Sequence, residues 1–149
     1  MFKEQLTTFV IMFLVGIFLN PMGILAYRID DFYLSLTLVY GGLIMASNMI
    51  WSHQIVHLLN HGHMNKKIFV GGLLMSLFFI VVIRQQVFVS DTQWLKRMIS
   101  HHSTAITTTG KLLENNNFKN NPKMYRMAKD IVYNQELEIL IMKTFLQKQ

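Results

Sequence analysis

Met98, His101 and His102 fall within five residues of one another, in the stretch WLKRMISHHSTAI. On a helix, residues four apart share a face, so Met98 and His102 point the same way. A thioether beside an imidazole suits copper(I), and the chain has no cysteine to offer a thiolate instead. The plain alternative is a packed methionine beside two amphipathic histidines.

A second pattern lies upstream. Met45, Met49, His53, His57 and His61 are each four residues apart, which on a helix makes a slowly winding stripe about 24 Å long. One reading is a soft-metal relay from membrane interior to membrane edge, with His63 and Met64 adding donors. A second is packing by adaptable methionines followed by interfacial histidines. Haem ligation by His53 or His57 is a third.

The elements that position these residues are mostly apolar. Of 149 residues, 52% are hydrophobic and 15% charged. Three hydrophobic runs, about 6–27, 32–59 and 68–89, are each near the length that crosses a bilayer. The first follows Lys3 and is too long for a usual signal core, so it is read as a retained span that Asn20-Pro21 kinks or ends early. The second continues past Trp51 through SHQIVHLLN as a polar-faced extension. The third reaches residue 89 only if Arg84 snorkels. Tyr27 and Trp51 are candidate interface anchors. Gly42 with Ala46, and Gly72 with Ser76, are small pairs that let the second and third spans approach as a hairpin.

Past residue 90 the pattern changes. Ser90-Asp91 reads as a helix start, and an amphipathic helix follows over about 92–114. NNNFKNNP breaks it, with Pro122 suited to the first turn of a second helix over about 123–146. On that helix Met127, Ile131, Gln135, Glu138 and Met142 fall on one face. The expected fold is thus all-α: a three-span membrane domain over 1–90, then an amphipathic helical hairpin over 91–149.

The net charge is +6, and from Asp91 onward nine basic residues face five acidic ones. No nucleic-acid-binding module accompanies that charge, so no nucleic-acid partner is expected. A basic domain near anionic lipid head groups fits better. Lys3 and Lys66-Lys67 lie on one side of the spans, and the Arg28–Asp31 joint, with net charge −1, lies on the other. The N-terminus is therefore expected in the cytoplasm and the C-terminal helices on the exoplasmic side. Gly41-Gly42 and Gly71-Gly72 sit inside apolar runs rather than in a phosphate loop. Ser103 has no strained turn to expose it as a nucleophile. An enzyme is not expected.

The C-terminal third resembles the domain of unknown function 305 family. The residues that carry the likeness are Trp94, Met98-Ile99, His101-His102 and Ala105-Ile106, then Ala128, Ile131, Gln135, Glu138-Ile139 and Met142. Ile83-Arg84-Gln85-Gln86 resembles the exit from the third span in a membrane-anchored subset. The resemblance implies half of a ferritin-like four-helix bundle in an exoplasmic domain. It also implies copper binding through Met98, His101, His102, Gln135, Glu138 or Met142, in a multi-pass protein of a bacterial inner membrane. Ser100 stands where the family often has proline, and Thr107-Thr108-Thr109 where soluble members often carry another methionine.

Two C-terminal helices cannot bury all their faces alone, so a homodimer that completes the bundle is expected. Two functions follow from these readings. One is a membrane-anchored metal-handling protein. The other is a structural or accessory membrane protein that uses its helices to dimerise or dock a partner.

Overall fold

The computed structural model describes residues 2–115 and 120–148. Among these residues the structure is all-α, with no strand. Five long helices, α1 (Phe2–Phe18), α3 (Leu36–His61), α4 (Lys66–Arg84), α5 (Asp91–Glu114) and α6 (Pro122–Gln147), are joined by a single turn, α2 (Pro21–Ile24), and a 3-10 turn at Ile29–Asp31. The chain forms two compact units. One comprises Met1–Asn20 with Leu36–Val89, and the other Pro21–Ser35 with Ser90–Gln149.

In the first unit, α1 ends where the sequence dictates. Pro21 has no N–H to donate, and the Asn20 side chain donates instead to the Ile17 carbonyl. α3 packs against both α1 and α4. The α1 crossing is closest at two glycines, since a Cβ on Gly16 would lie 2.9 Å from the Gly42 Cα. The α4 crossing is closest at Gly72, where a Cβ would lie 3.0 Å from both Ile50 Cγ2 and the Trp51 nitrogen. Beside it Ser76 Oγ donates to Asn48 Oδ1 at 2.6 Å, and the Trp51 indole donates to the same oxygen at 3.0 Å. Gly72 and Ser76 therefore join the expected hairpin, but Gly42 serves the other interface, against α1. A helix between two neighbours needs small residues on two sides.

α4 begins at Asn65, whose side chain accepts from the Lys67 and Ile68 amides. It stops at Arg84, short of the expected residue 89. Gln86 (φ 49°) and Phe88 (φ 57°) leave the helical region, and Tyr40 Oη holds the exit through the Val87 carbonyl at 2.8 Å. Lys3–Ile24 and Lys66–Arg84 are long and apolar enough to cross a membrane, yet only 11% of each is buried. α3, which supplies the remaining expected span, is less apolar because Ser47, Asn48, Ser52, His53, Gln54 and His57 run along it.

In the second unit, α5 opens at Ser90, which accepts from the Gln93 amide, and α6 opens at Asn121 with Pro122 in its first turn. Of the NNNFKNNP break, residues 116–119 lie outside the described residues. Leu95, Ile99 and Ile106 of α5 pack with Ile139 and Met142 of α6, and Tyr33, Met98, Val132 and Leu146 close the cluster. The buried stripe of α6 is Ala128, Val132, Gln135, Ile139, Met142 and Leu146, a three–four alternation. The expected face is displaced from this one: Met127 is 54% exposed and Glu138 lies at the rim.

Residues 21–35, which the sequence reading places with the membrane spans, pack on α5 instead. Ser100 Oγ donates to the Asp31 carbonyl at 2.9 Å and accepts from the Tyr33 amide at 3.0 Å. Ser103 Oγ donates to Asp31 Oδ2 at 2.9 Å and accepts from the Tyr27 amide at 2.7 Å. Lys143 of α6 completes the node, with Nζ 2.5 Å from Asp31 Oδ1. The loop thus covers one flank of the α5–α6 seam, beside Ile106, Ile139 and Lys143. Asp31 is 1% exposed, and two serine hydroxyls and one ammonium satisfy it there.

Candidate functional site in the second unit

His102 sits on α5 between Ile99 and Ile106, at the rim of the seam with α6, and its side chain is 13% exposed. Its Nδ1 lies 2.9 Å from Glu138 Oε2 on α6. Gln135 Nε2 reaches the same carboxylate oxygen at 3.5 Å. Trp94, Leu95, Met98, His102, Glu138 and Met142 line one largely apolar cleft of about 340 Å³. Four of the six residues that the resemblance singles out, Met98, His102, Glu138 and Met142, therefore share a cleft, and Gln135 touches its carboxylate. His101 is exposed, with its ring 6.1 Å from that of His102, and it does not line the cleft.

The 2.9 Å contact between His102 Nδ1 and Glu138 Oε2 is one of charge and proximity, without the alignment of a hydrogen bond. Glu138 thus stands beside His102 at the cleft, where the sequence reading sets it among the candidate donors. The remaining soft donors of the cleft are the thioethers of Met98 and Met142. Among the described residues, no three histidine or carboxylate side chains are grouped to hold an ion. Any metal held in this cleft would depend on sulfur, which selects copper(I) over the harder divalent ions.

Burial pushes the His102 pKa below its ordinary 6.5, Glu138 opposes that shift, and His101 adds to it. His102 is therefore neutral at pH 7, the form that donates a lone pair. The unfolded chain takes up this proton near pH 6.5 while the folded chain still resists it. The stability that His102 contributes is complete above pH 6.5 and falls as the pH drops from there through the folded-state pKa. His102→Gln should flatten the fall in Tm of the purified protein between pH 7.5 and 5. An unchanged slope would assign that pH dependence to other groups.

The stripe along α3 is divided by the structure into parts with different neighbours. Met45 packs at the α1 crossing, with Sδ 3.2 Å from where a Gly16 Cβ would lie. Met49 is half-buried, and His53 Nδ1 lies 3.4 Å from Gln5 Nε2. His57 and His61 stand at the end of the helix, with ring centroids 4.7 Å apart.

The node at Asp31 is the feature that reading the chain in order does not reveal. In the sequence Asp31 belongs to a polar joint, Ser100 stands where the family often has proline, Ser103 lacks a strained turn, and Lys143 carries no separate signal. The available signal is the Ser100/Ser103 pair, three apart along one flank of the apolar stripe of α5.

No solved structure matches the chain. A protein of Acanthamoeba polyphaga mimivirus, described as uncharacterized, is 29% identical over 135 residues, 91% of this chain and 82% of the relative. That similarity extends well upstream of α5, into the apolar helices. Residues 82–146, from the last turn of α4 to Leu146, match the family described as Domain of unknown function (DUF305), and this match supports the family for the α5–α6 segment.

Proposed function

We propose that the protein is a three-span membrane protein whose second unit lies on the exoplasmic side and binds copper(I) at the His102 cleft. Crossing parity supports the third span. Residues 21–35 are bonded to α5, so both lie on one face of a bilayer. The chain leaves that unit after Ser35 and returns at Ser90. If α4 crosses the membrane, α3 must cross it too, despite its polar residues. Those polar groups are supported by interhelical and local bonds, as at Asn48–Ser76 and from Ser47 Oγ to the Leu43 carbonyl. Lys3, Lys66 and Lys67 then share the opposite face, which the positive-inside rule makes cytoplasmic.

The observation that carries the metal reading is Met98, His102 and Met142 in one cleft, with Glu138 2.9 Å from His102 Nδ1. The test is competition for copper(I) against a chromophoric chelator, using the full chain in detergent. His102→Ala and Met98→Leu should each weaken binding by about tenfold or more, and Glu138→Gln by a smaller factor. His101→Ala should leave binding unchanged. Equal affinity in wild type and the Met98→Leu/His102→Ala double variant would remove copper from this site.

A second reading has its own observation. Along α6, Tyr133, Leu137, Leu140, Ile141 and Phe145 are 68%, 47%, 60%, 47% and 55% exposed, and Ile141 and Phe145 also border the His102 cleft. Such a stripe on a helix outside a bilayer suits a second copy of the chain, completing a four-helix bundle. The copper preparation separates the two readings. A dimeric mass with binding indifferent to His102 and Met98 favours the structural role.

A further inference from the structure

The turn between α3 and α4 gathers three imidazoles that the stripe on α3 accounts for only in part. α3 runs to His61, Gly62 reverses the chain at φ 73°, and Asn65 starts α4. The Asn65 amide donates to Gln54 Oε1 at 3.1 Å, and Gln54 is 4% exposed, so the turn is tied back onto α3. His57 Nδ1 donates to the His63 carbonyl at 2.9 Å, and His63 Nδ1 donates to the His61 carbonyl at 3.0 Å. The His57 ring centroid lies 4.6 Å from that of His63 and 4.7 Å from that of His61, while His61 and His63 are 6.4 Å apart.

A carbonyl oxygen can only accept, so both Nδ1 atoms carry the proton and both Nε2 atoms keep a lone pair. Metal-binding imidazoles are characteristically held in this way, one ring nitrogen on a backbone oxygen and the other on the ion. His57 and His63 are thus an oriented donor pair on a turn that Gln54 anchors. The three rings do not already surround one point, so His61 joins by rotating its side chain at an exposed position. The adjoining cleft, lined by Glu4, His53, His57, His63 and Met64 among others, measures about 320 Å³ and leaves room for water ligands. Glu4 adds negative charge there, and Lys66 and Lys67, next along the chain, oppose it.

We infer that His57 and His63, with His61 as a third arm, bind a divalent transition-metal ion of the imidazole-preferring class at the α3–α4 turn. Zinc(II), copper(II) and nickel(II) belong to that class. The site is separate from the His102 cleft in position, donor type and oxidation state of the ion, and it stands or falls without it. Met45 and Met49 have no part in it.

The test uses the untagged full chain in detergent, titrated with zinc(II) against a chromophoric indicator at pH 7.5. The expected result is one zinc(II) per chain, bound equally by wild type and by His101→Ala/His102→Ala. His57→Asn and His63→Asn should each weaken binding at least about tenfold, and His61→Asn by less. Asparagine keeps a donor for the carbonyl at positions 57 and 63. If the asparagine variants fail to fold, electron paramagnetic resonance of copper(II) on the His101→Ala/His102→Ala chain decides. Two or three equatorial nitrogens support the site, and oxygen-only coordination overturns it. Zinc(II) binding unchanged in a folded His57→Asn/His63→Asn chain, or absent from wild type, also overturns it.

Discussion

Lys143→Met should lower the stability of the second unit by about 3 kcal/mol, the scale of a buried ion pair broken from one side. The cost comes from what remains. Asp31 is 1% exposed, and its carboxylate would be left with one hydroxyl donor, from Ser103, and no facing cation. Asp31→Asn should cost less, about 1–2 kcal/mol. Its amide oxygen can still accept from Ser103, and Lys143, 24% exposed, can swing into water. The Asp31→Asn/Lys143→Met double variant should recover most of the larger loss, because neither charge is left buried alone. Trp94 lies in this unit and Trp51 in the other, so denaturant unfolding followed by Trp94 emission in a Trp51→Phe background reads the right transition. Equal losses in the two single variants, or a double variant that sums them, would show that the pair is not coupled.

Neighbouring glycines in the first unit should respond in opposite ways. Gly42→Leu and Gly72→Leu should each destabilise by about 3 kcal/mol, near the upper end for overpacking a close contact. At Gly42 the new side chain meets Ile17 Cγ1 at 3.0 Å and the Phe13 carbonyl at 3.1 Å, and at Gly72 it meets the Trp51 backbone. Backbone atoms cannot rotate aside, so the helices must separate. Gly41 and Gly71 have nothing within 4 Å of an added Cβ. Gly41→Ala and Gly71→Ala should therefore be neutral or gain up to about 1 kcal/mol from helix propensity. Apparent melting temperatures of the four variants in one detergent make the comparison. Similar behaviour within either Gly-Gly pair would contradict the crossings described above.

These contrasts mark where reading the chain succeeds and where it stops. The helices of the second unit are legible because each carries its own punctuation: Ser90 before α5, Asn121-Pro122 before α6, and apolar residues at helical spacing between. Pro21 likewise announces the end of α1, since an imino nitrogen cannot continue the ladder. Met98 and His102 can be paired by their spacing alone, because four residues make about one turn. Met142 and Glu138 can be associated with them only through family resemblance. The separation of His101 from His102 follows from the helix as well, once the face that meets α6 is known.

What the sequence alone determined is local: all-α elements, the starts of α5 and α6, apolar runs near the length of a span, and a Met-His-His cluster on α5. Those features depend on interactions within a few residues, which periodicity and capping report directly. The tertiary structure decided the rest. It assigned Gly42 to α1 rather than α4, moved residues 21–35 onto α5, and made Asp31 the centre of a buried node with Ser100, Ser103 and Lys143. It also set Glu138 2.9 Å from His102 Nδ1, and drew His63 to His57 across a reversed turn. Each of these depends on pairing between groups distant in the chain or on which side of a helix meets a neighbour. A side chain's type limits what it can bond, but only the packed neighbours determine which bond it makes.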